Sequence, residues 1–354
     1  MHLFIVAPNK FIIPSVIVEA TVIHLINNCL LNTHISIVIV EFPHFENLSK
    51  AFEGHDQVSF ICKKEAGALI KNVKEARVLH FGDNVKWALD IPIYFMPLVL
   101  PAEVNKQSFV KRFLLKRSFN NYLKRATKII ANNEWTHASL QNHYLEFKAK
   151  VQLVTMQLDA PKTMEWTVLS AAKERIANGN NYFLYFAPLE RFVPILKEFS
   201  VFKKWQQTTM NLVILLPNQQ EVDKALMLLN GYKFKNDIQV YSIEELGDEW
   251  LAASYAILWE GVSSFTSTWM IKSIQYDIPL LLDDKISLPT SWQKAGELIS
   301  LSDPQVLSNH FKLYYKDEIY RQARARLGKE WLDSIIQSTE GKELFNIIVL
   351  LHNK

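Results

Sequence analysis

Five hydroxyl side chains lie close together in a segment that follows a short apolar run and precedes a helical pattern: Ser263, Ser264, Thr266, Ser267 and Thr268. The N–H groups of a helix's first turn, together with the helix dipole, bind anions without a glycine-rich loop. Capping that helix needs one hydroxyl, from Ser263 or Ser264, and leaves the others unexplained. The segment is therefore predicted to bind the phosphate or the ribose of a nucleotide.

Polar residues also follow two predicted strands in the first half of the chain. His80 ends one strand and is followed by Asp83 and Asn84, while Asn133 and Glu134 stand where another strand passes into a helix. Open α/β sheets bind ligands beyond the carboxyl ends of their strands, so each of these residues is a candidate for ligand contact. A structural histidine and a simple helix cap are the alternatives, and the residues alone leave them open.

Two cations near the start of the second half could neutralise a diphosphate. These are Arg191 and Lys197, for which a solvated surface position is the alternative. The sequence contains no DxD, HExxH, GxSxG or GxG pattern and no clustered Cys and His residues. It therefore predicts neither a metal site nor a cofactor, and cations and helix N-termini remain as the means to stabilise negative charge on a ligand.

Short apolar runs, continuous rather than alternating, are separated by helical patterns along the whole chain. Such runs are typical of strands buried on both faces, and their alternation with helices predicts an α/β fold with two doubly wound parallel sheets. The predicted strands are 3–7, 35–41, 58–62, 78–81, 93–96, 127–131 and 151–154, then 182–187, 212–217, 238–241, 255–259, 278–282 and 298–299. The predicted helices are 15–31, 64–73, 108–125, 135–147, 164–177, 193–206, 220–229, 243–250, 264–276, about 317–336, and 342–351.

Length and composition limit the class of protein. A chain of 354 residues suggests two domains, and a formal net charge of +3 is too small for a general nucleic-acid binder. No apolar run reaches the roughly 18–20 residues that span a bilayer, and the N-terminus lacks the basic region of a signal peptide. Cys29 and Cys62 are expected to be buried thiols. These features predict a cytoplasmic protein.

Four stretches resemble the retaining, nucleotide-sugar-dependent GT-B glycosyltransferases of group 1 (family 4-like). Ala76–Gly82 is similar to the family's strand that ends in a His near the cleft, and Arg125–Glu134 to its A-x-x-I-I-A-x-S-E segment. Tyr182–Arg191 resembles the strand that opens the family's second domain, and Ser254–Leu282 resembles its donor-site helix with the flanking strands. The resemblance covers nearly the whole chain by order and pattern, rather than by close identity.

The chain departs from the family at the donor site. Ala187-Pro188 stands where the family has Gly-Arg, the Lys that normally follows has no clear counterpart, and Arg191 is the nearest cation. The family's E-x7-E signature contains two glutamates, and this sequence can be aligned with it in two ways. Counting back from Pro279 puts Ser264 and Lys272 in the places of the glutamates, and counting forward from Glu260 puts Glu260 and Thr268 there. Neither alignment contains both glutamates.

The resemblance implies a fold, a reaction and roles for residues. It implies two Rossmann-like domains facing each other across a cleft, at 1–163 and 164–337, with a C-terminal helix at about 338–354 packed back onto the first. The implied reaction is metal-independent transfer of a sugar from a nucleotide-sugar to a polysaccharide or lipid-linked glycan. The implied catalytic residues are His80 and Glu260, the donor-binding residues are Arg191, Glu244, Lys272 and the five hydroxyls, and the acceptor-side residues are Asp83, Asn84, Asn133 and Glu134. The missing signature residues favour the alternative, an inactive homologue that binds an active transferase as a scaffold.

A basic segment at 106–128 suggests a further partner. It contains eight Lys and Arg residues and no acid, in a protein whose total excess is +3. On a helical projection, Lys116, Arg117, Lys124 and Lys128 lie opposite an apolar stripe, and aromatic residues fall out of phase with that stripe. This arrangement predicts peripheral association with anionic membrane, with an ordinary solvated helix face as the alternative.

Overall fold

A computed structural model describes most of the chain as two compact units. The described residues are 1–6, 15–31, 34–40, 46–81, 91–97, 100, 109–131, 134–154, 163–186, 188–260, 269–270, 272–284, 292–303, 305–338 and 343–350. The described residues up to 154, together with those from 343 on, form the first unit, and residues 163–338 form the second.

The described part of the first unit is built on a parallel sheet of seven strands in the order β3-β2-β1-β4-β5-β6-β7. The strands are β1 His2–Val6, β2 Ser36–Val40, β3 Val58–Ile61, β4 Ala76–His80, β5 Ile93–Phe95, β6 Lys128–Ala131 and β7 Val151–Leu153. The helices are α1 Ser15–Leu30, α2 Glu46–Phe52, α3 Lys63–Leu69, α4 Phe109–Arg125 and α5 Glu134–His143, with a 3₁₀ turn at Leu145–Lys150.

Both faces of this sheet are covered, which explains why its strands are continuously apolar. In β1, Leu3 and Ile5 pack into one buried cluster with α1, whereas Phe4 and Val6 pack into another with Ala66 of α3. Successive strand residues point to opposite faces, so a strand buried on both faces needs apolar residues at every position.

The second unit, over its described residues, contains a parallel sheet of six strands in the order β10-β9-β8-β11-β12-β13. The strands are β8 Tyr182–Phe186, β9 Asn211–Leu216, β10 Ile238–Ser242, β11 Ala256–Trp259, β12 Leu280–Asp283 and β13 Glu297–Ile299. The helices are α6 Trp166–Ala177, α7 Phe192–Trp205, α8 Gln219–Leu229, α9 Asp248–Ala253, α10 Val306–Lys316 and α11 Glu318–Ser338, and residues 269–270 and 272–274 are also helical.

One glycine is required by the packing of this second sheet. A Cβ on Gly296, just before β13, would lie 2.8 Å from both the Cβ and the carbonyl oxygen of Leu280. Real Cβ atoms do not approach backbone this closely, so β12 can lie beside the start of β13 only because this residue has no side chain.

The predicted fold class is confirmed, with local corrections to the elements. All thirteen predicted strands are present within one or two residues of their expected bounds. Helix α2 was not predicted, because its seven residues are too few to establish a helical period. The helix predicted at 243–250 is instead a 3₁₀ turn at Ile243–Glu245 and the short helix α9, separated by Gly247.

The C-terminal segment packs onto the first unit. Residues Glu343–Phe345 form helix α12, which continues as a π-helical turn at Asn346–Leu350. Leu344 and Ile348 join the core cluster of β1 and α1, and the guanidinium of Arg77 donates to the carbonyls of Ile348 and Val349, the latter at 2.7 Å. The domain bounds at 163/164 and 337/338 stay a prediction, because 155–162 and 339–342 lie outside the described residues.

Two further expectations concern the cysteines and membrane insertion. Cys29 is buried as predicted, but Cys62 is exposed, because it stands just before α3 at the edge strand β3. Within the described ranges, no helix has both the length and the apolar character needed to cross a bilayer.

Candidate functional site

The order of the strands in the second unit reverses between β8 and β11, which lie side by side at the centre of the sheet. The crevice beyond the carboxyl ends at such a switch point is the usual ligand site of an open α/β sheet. Glu260 directly follows β11, and its N–H donates to the carbonyl of Phe186, the last residue of β8, at 3.1 Å. Arg191 ends the 3₁₀ turn Leu189–Arg191 that leads from β8 into α7. The topology therefore brings these two predicted site residues to the same edge.

Glu260 and Arg191 form an ion pair that includes a tyrosine. Nε of Arg191 lies 2.5 Å from Oε1 of Glu260, and the side chains are 33% and 13% exposed, respectively. The hydroxyl of Tyr185 in β8 donates to Oε2 of Glu260. Nη2 of Arg191 also donates to the carbonyl of Leu301 at 3.2 Å. Both oxygens of the carboxylate are thus held by this chain's own donors.

The protonation states within this trio favour the contacts that the geometry shows. Burial raises the pKa of Tyr185 well above its ordinary value, and the charge of Glu260 raises it further. Burial alone would lower the pKa of Arg191, but the hydrogen bond and charge of Glu260 outweigh burial and raise it. Tyr185 therefore remains a hydrogen-bond donor, and Arg191 remains a cation.

A cavity of about 180 Å³ adjoins Arg191 and Tyr185. Its lining includes the polar residues Lys197, Ser302 and Asp303. Glu198, which also lines it, accepts from the N–H groups of Gln305 and Ser308, both at 3.0 Å, and so caps the N-terminus of α10. The described part of the site is therefore a polar recess beside a charged pair.

Lys272 takes part in a different ion pair. Its side chain is buried, pairs with Asp248 at the start of α9, and lies 5.2 Å from the ring centroid of Trp269. The hydroxyl of Tyr276 donates to the other oxygen of Asp248 at 2.7 Å. The structure thus gives Lys272 an internal partner, and its predicted donor-binding role stays a prediction.

Glu244 lies in the 3₁₀ turn that follows β10, at the carboxyl edge of the sheet. Its side chain lies outside the described part of the chain, so its predicted contact with the nucleotide stays a prediction. Its neighbour Glu245 is used locally, since Oε1 accepts from the N–H of Ser242 at 3.0 Å.

In the first unit, His80 ends β4 as predicted, but its ring is buried rather than presented to solvent. The residue is 2% exposed and stacks on Phe95, with ring centroids 4.8 Å apart, while Tyr122 meets its ring edge-on at 5.5 Å. Phe119 and Tyr144 extend this aromatic cluster. The sequence placed His80 at the correct strand end but did not anticipate its aromatic surroundings.

Glu134 is the first residue of α5, where a carboxylate interacts favourably with the helix dipole. The other acceptor-side residues, Asp83, Asn84 and Asn133, lie outside the described residues, as do all five hydroxyls of the 263–268 segment. None of these predicted contacts is tested.

The basic helix α4 presents cations on one face. Lys116, Arg117 and Lys124 are exposed, and Phe119 and Leu123 are buried against the sheet, but Lys128 lies in strand β6 and not on this helix, which ends at Arg125. The ammonium of Lys150 donates to the carbonyls at the end of α4, including that of Ala126 at 2.7 Å, which stabilises its C-terminus.

A second partly buried carboxylate, Glu297 at the start of β13, contacts two tyrosine hydroxyls and two cations. The hydroxyls of Tyr314 and Tyr320 donate to it at 2.9 Å and 2.5 Å, and His310 and Arg324 lie within 3.6 Å. Burial alone would raise the pKa of Glu297, but the hydrogen bonds from His310, Tyr320 and Tyr314 outweigh it and lower the pKa to about 2. Burial has the opposite effect on His310 and by itself would lower its pKa. The hydrogen bonds of His310 to Glu297 and to the Val306 carbonyl outweigh burial, so its pKa is raised overall.

Across the described ranges, no group of three His, Cys, Asp or Glu side chains could hold a metal ion. The expected independence from metal stays a prediction.

Sequence reasoning missed Tyr185 and Glu198. Tyr185 lies inside a strand of continuous apolar character, where a tyrosine counts as one more buried aromatic residue. Its position one residue before the carboxyl end of β8, the edge where open α/β sheets bind ligands, is the signal that could have identified it. Glu198 lies on α7 and contacts α10 more than 100 residues later in the chain, and no local pattern indicates that pairing.

Comparison with known proteins shows a shared fold at low identity. HepE of Anabaena, solved in complex with UDP and glucose, is 10% identical, and the match covers 96% of this chain and 98% of that one with a TM-score of 0.65. A glycosyltransferase from Rickettsia africae is 11% identical, with 99% of both chains covered and a TM-score of 0.66. WaaG, a glycosyltransferase involved in lipopolysaccharide biosynthesis, is 13% identical, with 99% and 100% covered and a TM-score of 0.64. No family model matches the sequence, and no curated protein matches it.

These likenesses establish the architecture. Each solved structure spans nearly the whole of this chain, so the two doubly wound sheets together correspond to the GT-B glycosyltransferase fold.

Proposed function

We propose that this protein transfers a sugar from a nucleotide-sugar to a hydroxyl group of a glycan or lipid-linked glycan, without a metal ion. In this reaction the acceptor oxygen forms a bond to the anomeric carbon, the bond from that carbon to the diphosphate breaks, and the acceptor proton passes to a diphosphate oxygen. The protein's task is to hold both substrates and to stabilise the charge of the departing diphosphate.

The observation that carries this proposal is the placement of Arg191 and Glu260 at the β8/β11 switch point. A guanidinium with N–H groups beyond those used by Glu260 and Leu301 can donate to a diphosphate. A carboxylate accepts hydrogen bonds from sugar hydroxyls. The structural relatives HepE and WaaG support the same use of the fold, since HepE was solved with UDP and UDP-glucose and WaaG is a glycosyltransferase.

The remaining donor contacts are assigned to the segment that follows Glu260. The hydroxyls at 263–268 and the helix start behind them would contact the phosphates, and Glu244 would contact the nucleoside. Ser264→Asp tests this assignment, because Asp is a good N-cap but repels a phosphate. We expect loss of nucleotide binding with an unchanged melting temperature, whereas unchanged affinity would remove this segment from the site.

Thermal unfolding against a panel of nucleoside diphosphates and their sugars, with UDP and UDP-glucose among them, tests the function directly. A ligand at 100 times its Kd stabilises the folded state by about 2.7 kcal/mol. Arg191→Ala should abolish the shift. Arg175→Ala is the matched control, because Arg175 also pairs with a glutamate at 2.5 Å, in this case Glu249 before the amino end of β11. An absence of any shift across the panel would instead favour the inactive scaffold.

Attachment to anionic membrane through α4 is the further partner that we propose. Three exposed cations, Lys116, Arg117 and Lys124, would each contribute about 1 kcal/mol near an anionic surface. We expect the protein to sediment with anionic but not with neutral liposomes, less so at high salt, and the triple Gln variant to remain in the supernatant. Equal partitioning to both kinds of liposome would contradict this proposal.

A further inference from the structure

We propose that Tyr185 is a positioning residue for Glu260, fixing the carboxylate in the orientation that meets the sugar of the donor. This inference rests on the proposed function and adds to it a residue whose hydroxyl touches no substrate.

The geometry of the carboxylate carries the inference. Tyr185 donates to Oε2 of Glu260, and Arg191 approaches Oε1. With a donor on each oxygen, the carboxyl group cannot rotate without breaking one of the two contacts. Each carboxylate oxygen can accept two hydrogen bonds, so as far as the described residues are concerned each keeps one acceptor site for a sugar hydroxyl. Arg191 alone would leave the plane of the carboxyl group free to turn about the ion pair.

The surroundings of Tyr185 explain why it can do this. The side chain is 1% exposed and packs in the core cluster between the sheet and α7. Its ring is therefore held by packing, its hydroxyl donates to Glu260, and the residue lines the cavity. A group held in this way is the rigid support that a preorganised binding residue needs.

A second tyrosine in the same strand provides a matched control. Tyr182, at the other end of β8, is also buried, and its hydroxyl donates to the carbonyl of Trp250 at 2.7 Å. Tyr182→Phe and Tyr185→Phe each remove one hydroxyl that makes a buried hydrogen bond while keeping the ring. Only Tyr185→Phe removes a bond to Glu260.

The experiment measures the Kd of UDP and of UDP-glucose by calorimetry, and the rate at which UDP-glucose is consumed. For Tyr185→Phe we expect two quantities to fall about 10- to 100-fold: the ratio of the Kd of UDP to the Kd of UDP-glucose, and kcat/KM. This is the effect of losing one hydrogen bond to a charged group. The Kd of UDP should change less than about twofold, because UDP lacks the glucosyl group whose hydroxyls Glu260 is proposed to bind. Tyr182→Phe should leave all three quantities at the wild-type values, even where its melting temperature falls.

A double-mutant cycle identifies action through Glu260. In a Glu260→Gln background, Tyr185→Phe should reduce kcat/KM no further, since the carboxylate that it positions is gone. Additive losses, or equal losses for UDP and UDP-glucose, would show a merely structural hydroxyl and overturn the inference. If wild-type protein binds neither ligand, the proposed function fails and the inference fails with it. If wild-type protein consumes UDP-glucose and Tyr185→Phe matches it, the inference alone fails.

Discussion

Two carboxylates in the second unit have nearly the same burial and the same kinds of partner, but they occupy opposite edges of one sheet. The side chains of Glu260 and Glu297 are 13% and 15% exposed, and each contacts tyrosine and arginine. Glu260 follows the end of β11, whereas Glu297 begins β13. Burial and partner type therefore do not distinguish a binding group from a structural one.

The number of partners does distinguish them. Glu297 accepts hydrogen bonds from the hydroxyls of Tyr314 and Tyr320 and has two cations, His310 and Arg324, within 3.6 Å, so its roughly four acceptor positions are largely satisfied by the protein. Among the described residues, Glu260 has the donors Tyr185 and Arg191, and thus about two positions left. The comparison indicates that a carboxylate saturated by its own protein stabilises the fold, and that a half-saturated one at a switch point is poised for a ligand.

The largest expected effect is on activity. Glu260→Gln keeps the shape of the side chain but replaces one acceptor oxygen with a donor, so it cannot accept from both Arg191 and Tyr185. We expect kcat/KM for UDP-glucose to fall about a hundredfold, with a smaller loss of stability than the corresponding change at Glu297. Steady-state kinetics measures the loss of activity in the two variants, and urea unfolding measures their loss of stability. Activity that survives Glu260→Gln but not Glu297→Gln would reverse our assignment.

The next effect is on stability. A pKa lowered from 4.5 to about 2 corresponds to about 3 kcal/mol of folding free energy at neutral pH. Because the folded-state pKa is the lower one, this contribution is present above pH 4.5 and is lost as the pH falls toward 2. Glu297→Gln should therefore lose about 3 kcal/mol at pH 7 in urea unfolding.

The pH dependence of the same variant is the control for this assignment. The difference in unfolding free energy between wild type and Glu297→Gln should shrink as the pH falls from 4.5 toward 2. The raised pKa of His310 depends on Glu297. It contributes folding free energy that is present below pH 6.5 and is lost as the pH rises through the folded-state pKa. This contribution of His310 should also disappear in Glu297→Gln. A difference that stays constant from pH 7 to pH 3 would contradict the saturated-carboxylate interpretation.

The fold could be predicted because its signals are local. The central strands are continuous apolar runs such as Leu212–Leu216 and are buried on both faces as the pattern requires, whereas the edge strand β3 is largely exposed. Helix α2, with seven residues, is too short to leave such a signal.

The site could be predicted only in part, because its contacts join distant residues. Arg191 and Glu260 were identified individually, but their pairing across 69 positions depends on the register of β8 and β11. The sequence gives no sign that Lys272 pairs with Asp248 or that His80 stacks on Phe95. The structure thus adds an internal partner to each of these two residues, and their predicted ligand roles stay predictions.

His80 extends the comparison to the first unit. It ends β4 at the switch point of that sheet, and the described contacts of its ring are with the aromatic residues Phe95 and Tyr122. Since the ring is buried, we expect His80→Phe to keep the stack and to lower kcat/KM for UDP-glucose less than tenfold. His80→Ala, which leaves a cavity, should be destabilised by about 2–4 kcal/mol. A loss in His80→Phe as large as in Glu260→Gln, with stability unchanged, would restore the catalytic role that the sequence predicts.

The smallest expected effect is that of a chelator. A divalent ion needs several oxygen ligands around it, but among the described residues no group of three His, Cys, Asp or Glu side chains is placed to hold one, and the sequence has no DxD pattern. Arg191 already carries the positive charge that a metal would otherwise supply beside the diphosphate. We therefore expect consumption of UDP-glucose to be unchanged in EDTA. Arg191→Ala should lose activity that added manganese does not restore, because no second carboxylate is placed to bind the ion among the described residues. Activity abolished by EDTA and recovered with manganese would show that the carboxylate of Glu260 is a metal ligand and not a sugar contact.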